Sequence, residues 1–487
     1  MKNPLEKRSV FVYLRIAALI EQQILDNTLR AGDKLPSLRT LCREYGISQN
    51  TALSAYYHLE SNMLIEARPQ SGYYVRSGTR KLPAPAASNP AGVAAHAGTD
   101  QLVARVYDSL GLGGHLPLSL GTPAKELLPV AKLNKALLQA TRELSGSGVV
   151  YDKNDGNERL RRQVARRALA MDCGLSHQDV ITTSGCLNAL SYCFMAVAEK
   201  GDTVAMESPV SFGMLQLAQA LGLKVLELPT DPATGVDLNA LEAAMKRTDV
   251  KACLLISNFS NPLGSCMPDA HKRSAVGLAN RYQVPLIEND LNGDVYFGAH
   301  RPRSCKSFDD SGIVLWCGSV SKTLAPGYRV GWVAPGRFKE AVARLKLYHT
   351  ISSPAITQET IAAFLETGRY ENHLRKLRHT LQANLHRYNR AIADYFPDGT
   401  MLSRPQGGFV LWLQLPGPTD TISLYEKALA CKTGFAPGRL FSLQNQYNNC
   451  MRLNYGLVWD EKLENSLKIL GNLVRHPERG NQYSRTL

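Results

Sequence analysis

Apolar residues in this 487-residue chain follow two different rhythms. Up to about residue 75 the helical period dominates. Leu14, Ala17, Ala18, Ile20, Ile24 and Leu25 fall largely on one face of a first predicted helix. "RAGDKLPS" then reads as a turn, and Ser37 is placed to cap a second helix, "LRTLCREYG", that stops at Gly46. Ser48 caps a third, "QNTALSAYYHLES", with Ala52, Leu53, Tyr56 and Leu59 facing inward. "LIEARPQSGYYVR" alternates as two short strands around a tip at Pro69–Gly72.

Three helices followed by a hairpin predict a winged helix-turn-helix over residues 1–77. Its third helix would enter the major groove of double-stranded DNA, and its wing would lie along a phosphate strand. Arg39 is placed to meet backbone phosphates. Ser48, Gln49, Asn50 and Thr51 open the third helix and can reach base edges or phosphates, while Arg68 and Gln70 belong to the wing.

Farther along, the rhythm changes to short β-branched runs between helical segments. "DVITTSG", "DTVAME", "KVLELP", "ACLLISN", "VPLIEND" and "GIVLWCGS" are the clearest. That alternation predicts a doubly wound, mostly parallel α/β sheet within residues 111–478. Between the two regions "RSGTRKLPAPAASNPAGVAAHAGTD" is dominated by Pro, Ala, Gly and Ser. So little apolar surface cannot offset the entropy of ordering, which predicts a flexible linker over 78–110.

Composition adds a partner and a compartment. The content of 44% hydrophobic and 20% charged residues is that of a globular protein and excludes a disordered or fibrous chain. The net charge of +14 favours an anionic partner. Met1–Lys81 holds twelve Lys/Arg against seven Asp/Glu, which suits DNA. Ten cysteines without C-x-x-C or framework spacing predict reduced thiols and no metal site. No apolar run approaches membrane-spanning length, so no membrane partner and a cytoplasmic location are expected.

The candidate chemistry centres on "GSVSKTLAPGYRVGW". Lys322 sits among small and hydroxylic residues at the end of an apolar run. Desolvation and nearby positive charge would disfavour its ammonium and free the amine to attack an aldehyde. Arg329, seven residues on, brings a charge suited to phosphate, and Ser319 a hydroxyl. "ITTSGCLNAL" reads as strand, turn and helix, so that Ser184, Gly185 and Cys186 can cradle a phosphate. An aldehyde with a phosphate is pyridoxal 5′-phosphate.

Two resemblances fit these readings. The order "GDKLPSLR", "GISQNT", "AYYHLE", "SGYYV" resembles the GntR family of bacterial regulators, with Gln49 where their usual pattern has arginine. Over roughly 115–475 the chain resembles fold-type I pyridoxal-phosphate enzymes of the aspartate aminotransferase class. That resemblance implies the large sheet domain plus a smaller C-terminal α/β subdomain. It implies Tyr151 as the tyrosine that reaches the partner subunit's phosphate. "SNPLG" supplies Asn261, whose counterpart bonds the ring hydroxyl. Lys322 would be the catalytic Schiff-base lysine, forming an aldimine, with Arg329 on the phosphate. "MRLNYG" supplies Arg452 for an effector carboxylate. Fusion of the two parts resembles the MocR subfamily, which implies a homodimer sensing pyridoxal phosphate or a small-molecule amine or amino-acid effector.

Three positions depart from the aminotransferase pattern. In "LIENDLNGDVYF" the direct register puts Asn289 where an aspartate would pair with the pyridinium, and Asn292 where a tyrosine would touch the ring hydroxyl. A shift of one residue would bring Asp290 to the first slot instead. Ser211 takes the usual ring-stacking position, with Phe212 beside it. These changes imply a sensor with little or no transaminase turnover. A working aminotransferase with an accessory DNA-binding unit, and a regulator whose large domain has lost the cofactor and only dimerises, stand as alternatives.

Overall fold

Both rhythms resolve into the expected element types. In the computed structural model, which describes residues 12–26, 28–61, 64–68, 71–76, 82–96, 101–109 and 116–476, three N-terminal helices span Val12–Leu25, Leu38–Tyr45 and Gln49–Ser61. Ser37 caps the second, accepting from the Thr40 amide at 3.1 Å, and Gly46 ends it at φ 62°. The strands Ile65–Arg68 and Gly72–Val75 pair antiparallel as the wing. Ile16, Ala17, Ile20, Leu41, Ala52, Tyr56 and Leu59 form the small core. Ala18 is exposed and Leu53 only half-buried, because neighbouring Ile16 and Ala55 take the inward positions. The side chain of Leu25 lies outside the described residues.

The chain divides into two compact units after Leu82, with Ala383–Tyr395, the last turns of the helix Arg369–Tyr395, joining the smaller one. The larger unit is built on a nine-stranded sheet. Its central strands Lys224–Asp231, Thr203–Ser208, Val250–Leu255, Leu286–Asn289 and Val314–Ser319 are parallel. Gly331–Ala334 runs antiparallel between Val314–Ser319 and Ile181–Thr183. The parallel strands are buried on both faces and carry apolar clusters on each side. A separate four-stranded antiparallel sheet, in the order Met401–Leu402, Val410–Gln414, Cys450–Asn454, Ala436–Pro437, forms the C-terminal part. Among the described residues no helix is long and apolar enough to cross a membrane.

The stretch expected as a flexible linker departs from that expectation. Residues 83–96 are laid along the larger unit. Leu402 donates its amide to the Pro83 carbonyl at 2.8 Å, and Ala95 and His96 pair antiparallel with Val225 and Lys224. Ser88 hydrogen-bonds Ser208 and Thr230. Composition measured only the apolar surface available, whereas this stretch is held by backbone bonds that small residues make equally well. Gln101–Ser109 is a helix with Leu102, Val103 and Val106 buried. The boundaries expected at 77 and 110 lie outside the described residues.

Candidate functional site

Ile181–Thr183, Thr203–Ser208, Leu286–Asn289 and Val314–Ser319 all end at one edge of the large sheet, where open α/β sheets hold ligands. The turn after Ile181–Thr183 leads into the helix Cys186–Val197. The Ser184 amide is taken by Asn188 Oδ1 at 3.1 Å. The amides of Gly185 and Cys186, which open the helix, have no carbonyl four residues earlier within it to bond. Gly185 is at φ 91°, and a Cβ there would lie 2.5 Å from Arg329 Nη2. A Cβ on Gly331 would meet the Gly185 carbonyl carbon at 2.5 Å. Two glycines thus let the turn, the arginine and the antiparallel strand close on one another.

Arg329 is exposed and left-handed at φ 52°. Among the described residues its guanidinium makes only long bonds, 3.3 Å to the Ser184 carbonyl and 3.5 Å to that of Pro326, so an anion would displace these neutral acceptors at little cost. Ser319 is buried and turned into its own loop: its Oγ donates to the Val330 carbonyl at 2.8 Å and lies 2.8 Å from Ser321 Oγ. Lys322 follows. Its amine makes no hydrogen bond among the described residues. Burial, then the positive charges of Arg452 and Arg329, lower its pKa to about 7. The next residue anchors the loop: Thr323 Oγ1 lies 2.6 Å from the Tyr370 hydroxyl, and its carbonyl accepts from His373 Nε2 at 2.6 Å.

At the end of Leu286–Asn289 the register question has an answer. Asn289 faces the helix Cys186–Val197, with Oδ1 accepting from Cys186 Sγ at 3.5 Å and Nδ2 near Met214 Sδ. Burial pushes the Cys186 thiol up, so it stays a weak donor. Asp290 points to the opposite face, as alternation demands. There Arg301 meets it at 2.5 Å, Trp316 Nε1 at 2.9 Å and Asn258 Nδ2 at 3.0 Å. Asp290 therefore does not belong to the site, correcting the shifted register. Asn292 is buried and spends its amide on the Phe259 carbonyl at 2.8 Å.

Ser211, not Phe212, faces Asn261, whose Nδ2 reaches Ser211 Oγ at 3.5 Å. Phe212 turns away from that position to Phe441, at 5.6 Å between ring centres, and to Arg452. Arg452 is buried in the strand Cys450–Asn454. Its guanidinium lies 5.5 Å from the Phe212 ring and 5.1 Å from Phe441, and it donates to Asn261 Oδ1 at 2.9 Å and to the Ser119 carbonyl. Tyr151 is 76% exposed. Sequence reasoning missed Ser321, Ser119, Phe441 and Tyr370. "PGRLF" carries Phe441 but has no chemical signature, Ser321 bonds only its neighbour Ser319 among the described residues, and Ser119 and Tyr370 act through contacts remote in sequence.

On the small unit, Arg39 and Gln49 are exposed. Ser48 caps the third helix, accepting from the Thr51 amide at 3.2 Å, and the Thr51 hydroxyl lies 2.8 Å from Ser48 Oγ. Arg68 is committed within the wing: Nε donates to Glu66 at 2.8 Å, and the guanidinium stacks 4.2 Å from the Tyr74 ring. Lys34, which sequence reasoning passed over, is exposed beside the same ring. Gln70 and the side chain of Asn50 lie outside the described residues.

Known proteins carry both halves. Residues 12–75 match the family of bacterial regulatory proteins, gntR family, and residues 116–470 match aminotransferase class I and II. The uncharacterized HTH-type transcriptional regulator YjiR of Escherichia coli is 37% identical over 95% of this chain and 98% of its own. The multiple substrate aminotransferase of Thermococcus profundus superposes with a TM-score of 0.72 at 24% identity, covering 78% of this chain and 95% of its own. LysN of Thermus thermophilus, an alpha-aminoadipate aminotransferase complexed with N-(5′-phosphopyridoxyl)-L-leucine, gives 0.70 at 25% identity over 77% of this chain and 97% of its own. With the regulator module at one end, the aminotransferase fold over the rest and a relative matched along its whole length, the chain belongs to the MocR type of GntR-family transcriptional regulators.

Proposed function

We propose that this regulator binds pyridoxal 5′-phosphate at Lys322 and senses it, or an amine or amino-acid effector, in the cytoplasm with little or no transaminase turnover. The observation that carries the reading is an anion-and-amine end left complete beside a ring-facing Asn289 that bears no charge. The residues present suit the cofactor. The cradle at Gly185 is one that a Cβ would fill, helix-opening amides and Arg329 converge on it, and burial lowers the pKa of the Lys322 amine to about 7. Bound there, the cofactor supplies an aldehyde for amines and, when its ring nitrogen is held protonated, an electron sink.

Lys322 would hold the aldehyde end, and Arg452, steadied by Asn261 and Ser119, would take an effector carboxylate. Asn289 cannot hold a proton on a ring nitrogen as a carboxylate would, and Asp290 is committed to Arg301. Exposed Val149, Val150 and Tyr151 suit a homodimer in which Tyr151 reaches the partner's site. The DNA partner is met by Arg39, Gln49 and the wing.

Absorbance titration tests this. Added pyridoxal phosphate should give wild-type protein the visible band of a lysine-bound pyridoxal, and Lys322→Ala should lose it entirely. Steady-state assays with common amino acids and 2-oxo acids should show no appreciable turnover. Turnover would overturn the sensor reading, and absence of the band in wild type would overturn cofactor binding.

A further inference from the structure

Two loops hold aromatic rings against Arg452: Ser208–Phe212 brings Phe212, and the loop running from Gly438 to Tyr447 brings Phe441. They are tied to each other. Val210 donates its amide to the Phe441 carbonyl at 2.9 Å, the hydroxyls of Ser208 and Tyr447 lie 3.0 Å apart, and Ser208 and Ser442 each donate to the buried Glu227 carboxylate at 2.7 Å. Both are also held by the stretch 83–96, which chemistry alone would have left out of the site. Ser88 Oγ donates to the Ser208 carbonyl at 2.5 Å while accepting the Thr230 amide at 2.8 Å. Ala91 donates to Gln444 Oε1 at 2.8 Å, and the Gln444 amide bonds Ser442 Oγ, next to Phe441, at 3.0 Å. At its far end His96 walls a cavity of about 390 Å³ together with Phe212, Arg439 and Ser442.

We infer that residues 83–96 are a strap whose docking is coupled to occupation of the Arg452 site, an inference that rests on the reading of Arg452 as the carboxylate site. Ser88 and Gln444 act as positioning residues. A ligand on Arg452 needs Phe212 and Phe441 in place, and the strap fixes the loops that carry them. By reciprocity a ligand that fixes those loops also holds the strap down. The strap follows the DNA-binding unit in sequence. Docked, its fourteen residues belong to the large unit; undocked, they lengthen the tether of the small one.

The test uses the full chain and N-(5′-phosphopyridoxyl)-L-leucine, which carries both a phosphate and a carboxylate. Hydrogen exchange of 83–96 is measured with and without it, and its affinity is compared for wild type, Ser88→Ala and Gln444→Ala. The adduct should slow exchange in the strap, and each variant should bind it about fivefold or more weakly. Affinity for pyridoxal phosphate alone, which does not reach Arg452, should be unchanged. Equal loss of both affinities marks a merely structural role and overturns the inference, as does tight binding with strap exchange and variant affinities unaltered. Failure of wild type to bind the adduct overturns the site reading itself. If Ser88→Ala does not fold, the exchange measurement on wild type and Gln444→Ala decide the matter.

Discussion

The site has two ends that have fared differently. At one, Gly185, Cys186, Lys322 and Arg329 keep a geometry in which every missing methyl and each nearby charge matters. At the other, Asn289, Asn292 and Ser211 spend their polar groups on the protein itself. The first end is what holding an aldehyde and a phosphate requires. The second is what withdrawing electrons through a ring requires, and it lacks the charge. On the proposed function, capture and turnover become separable properties of one cavity.

The sharpest way to break the contrast is Asn289→Asp. A carboxylate facing the ring position should raise the amino-acid half-reaction about a hundredfold or more, read by stopped-flow absorbance. The apo protein should lose stability, since the new charge is buried with only the long contacts of the Cys186 thiol and the Leu291 amide to meet it. Gly185→Ala attacks the other end. The Cβ meets Arg329 at 2.5 Å in a left-handed residue, so strain of about 1–3 kcal/mol should weaken pyridoxal phosphate by about five- to a hundredfold in equilibrium titration. A smaller effect is the pH profile. With its pKa lowered to about 7, the Lys322 amine loses its proton as pH rises through 7, so capture should climb to that point and level above it. Arg452→Gln removes a positive charge and should move the inflection upward. The smallest change is outside the contrast: Arg39→Ala should reduce the slope of log affinity for DNA against log salt by about 1.

Much of this was legible in the sequence because periodicity and caps are local. Ser37, Gly46 and Ser48 announced their helices, and the strand-lysine-arginine spacing announced the amine and its neighbouring charge. Asn289 was legible as a departure but not as a direction. Whether it or Asp290 faced the cavity depended on Arg301 and Trp316, one eleven residues on and the other on the next strand. The strap was illegible for a different reason. Its Ala, Pro and Ser bury little surface, and what holds it is hydrogen bonding to loops more than a hundred residues away.

The network on Asp290 has a consequence for how this site can change. Arg301 also bonds Asp294 at 2.9 Å, which Arg167 and Tyr370 reach in turn, so the strand end is clamped from its far face. The clamp does not pass through Asn289. Residue 289 therefore works as a socket: its occupant can be exchanged while the strand stays where it is. On the proposed reading, the charge facing the cofactor ring can therefore be changed at residue 289 without disturbing the strand that carries it.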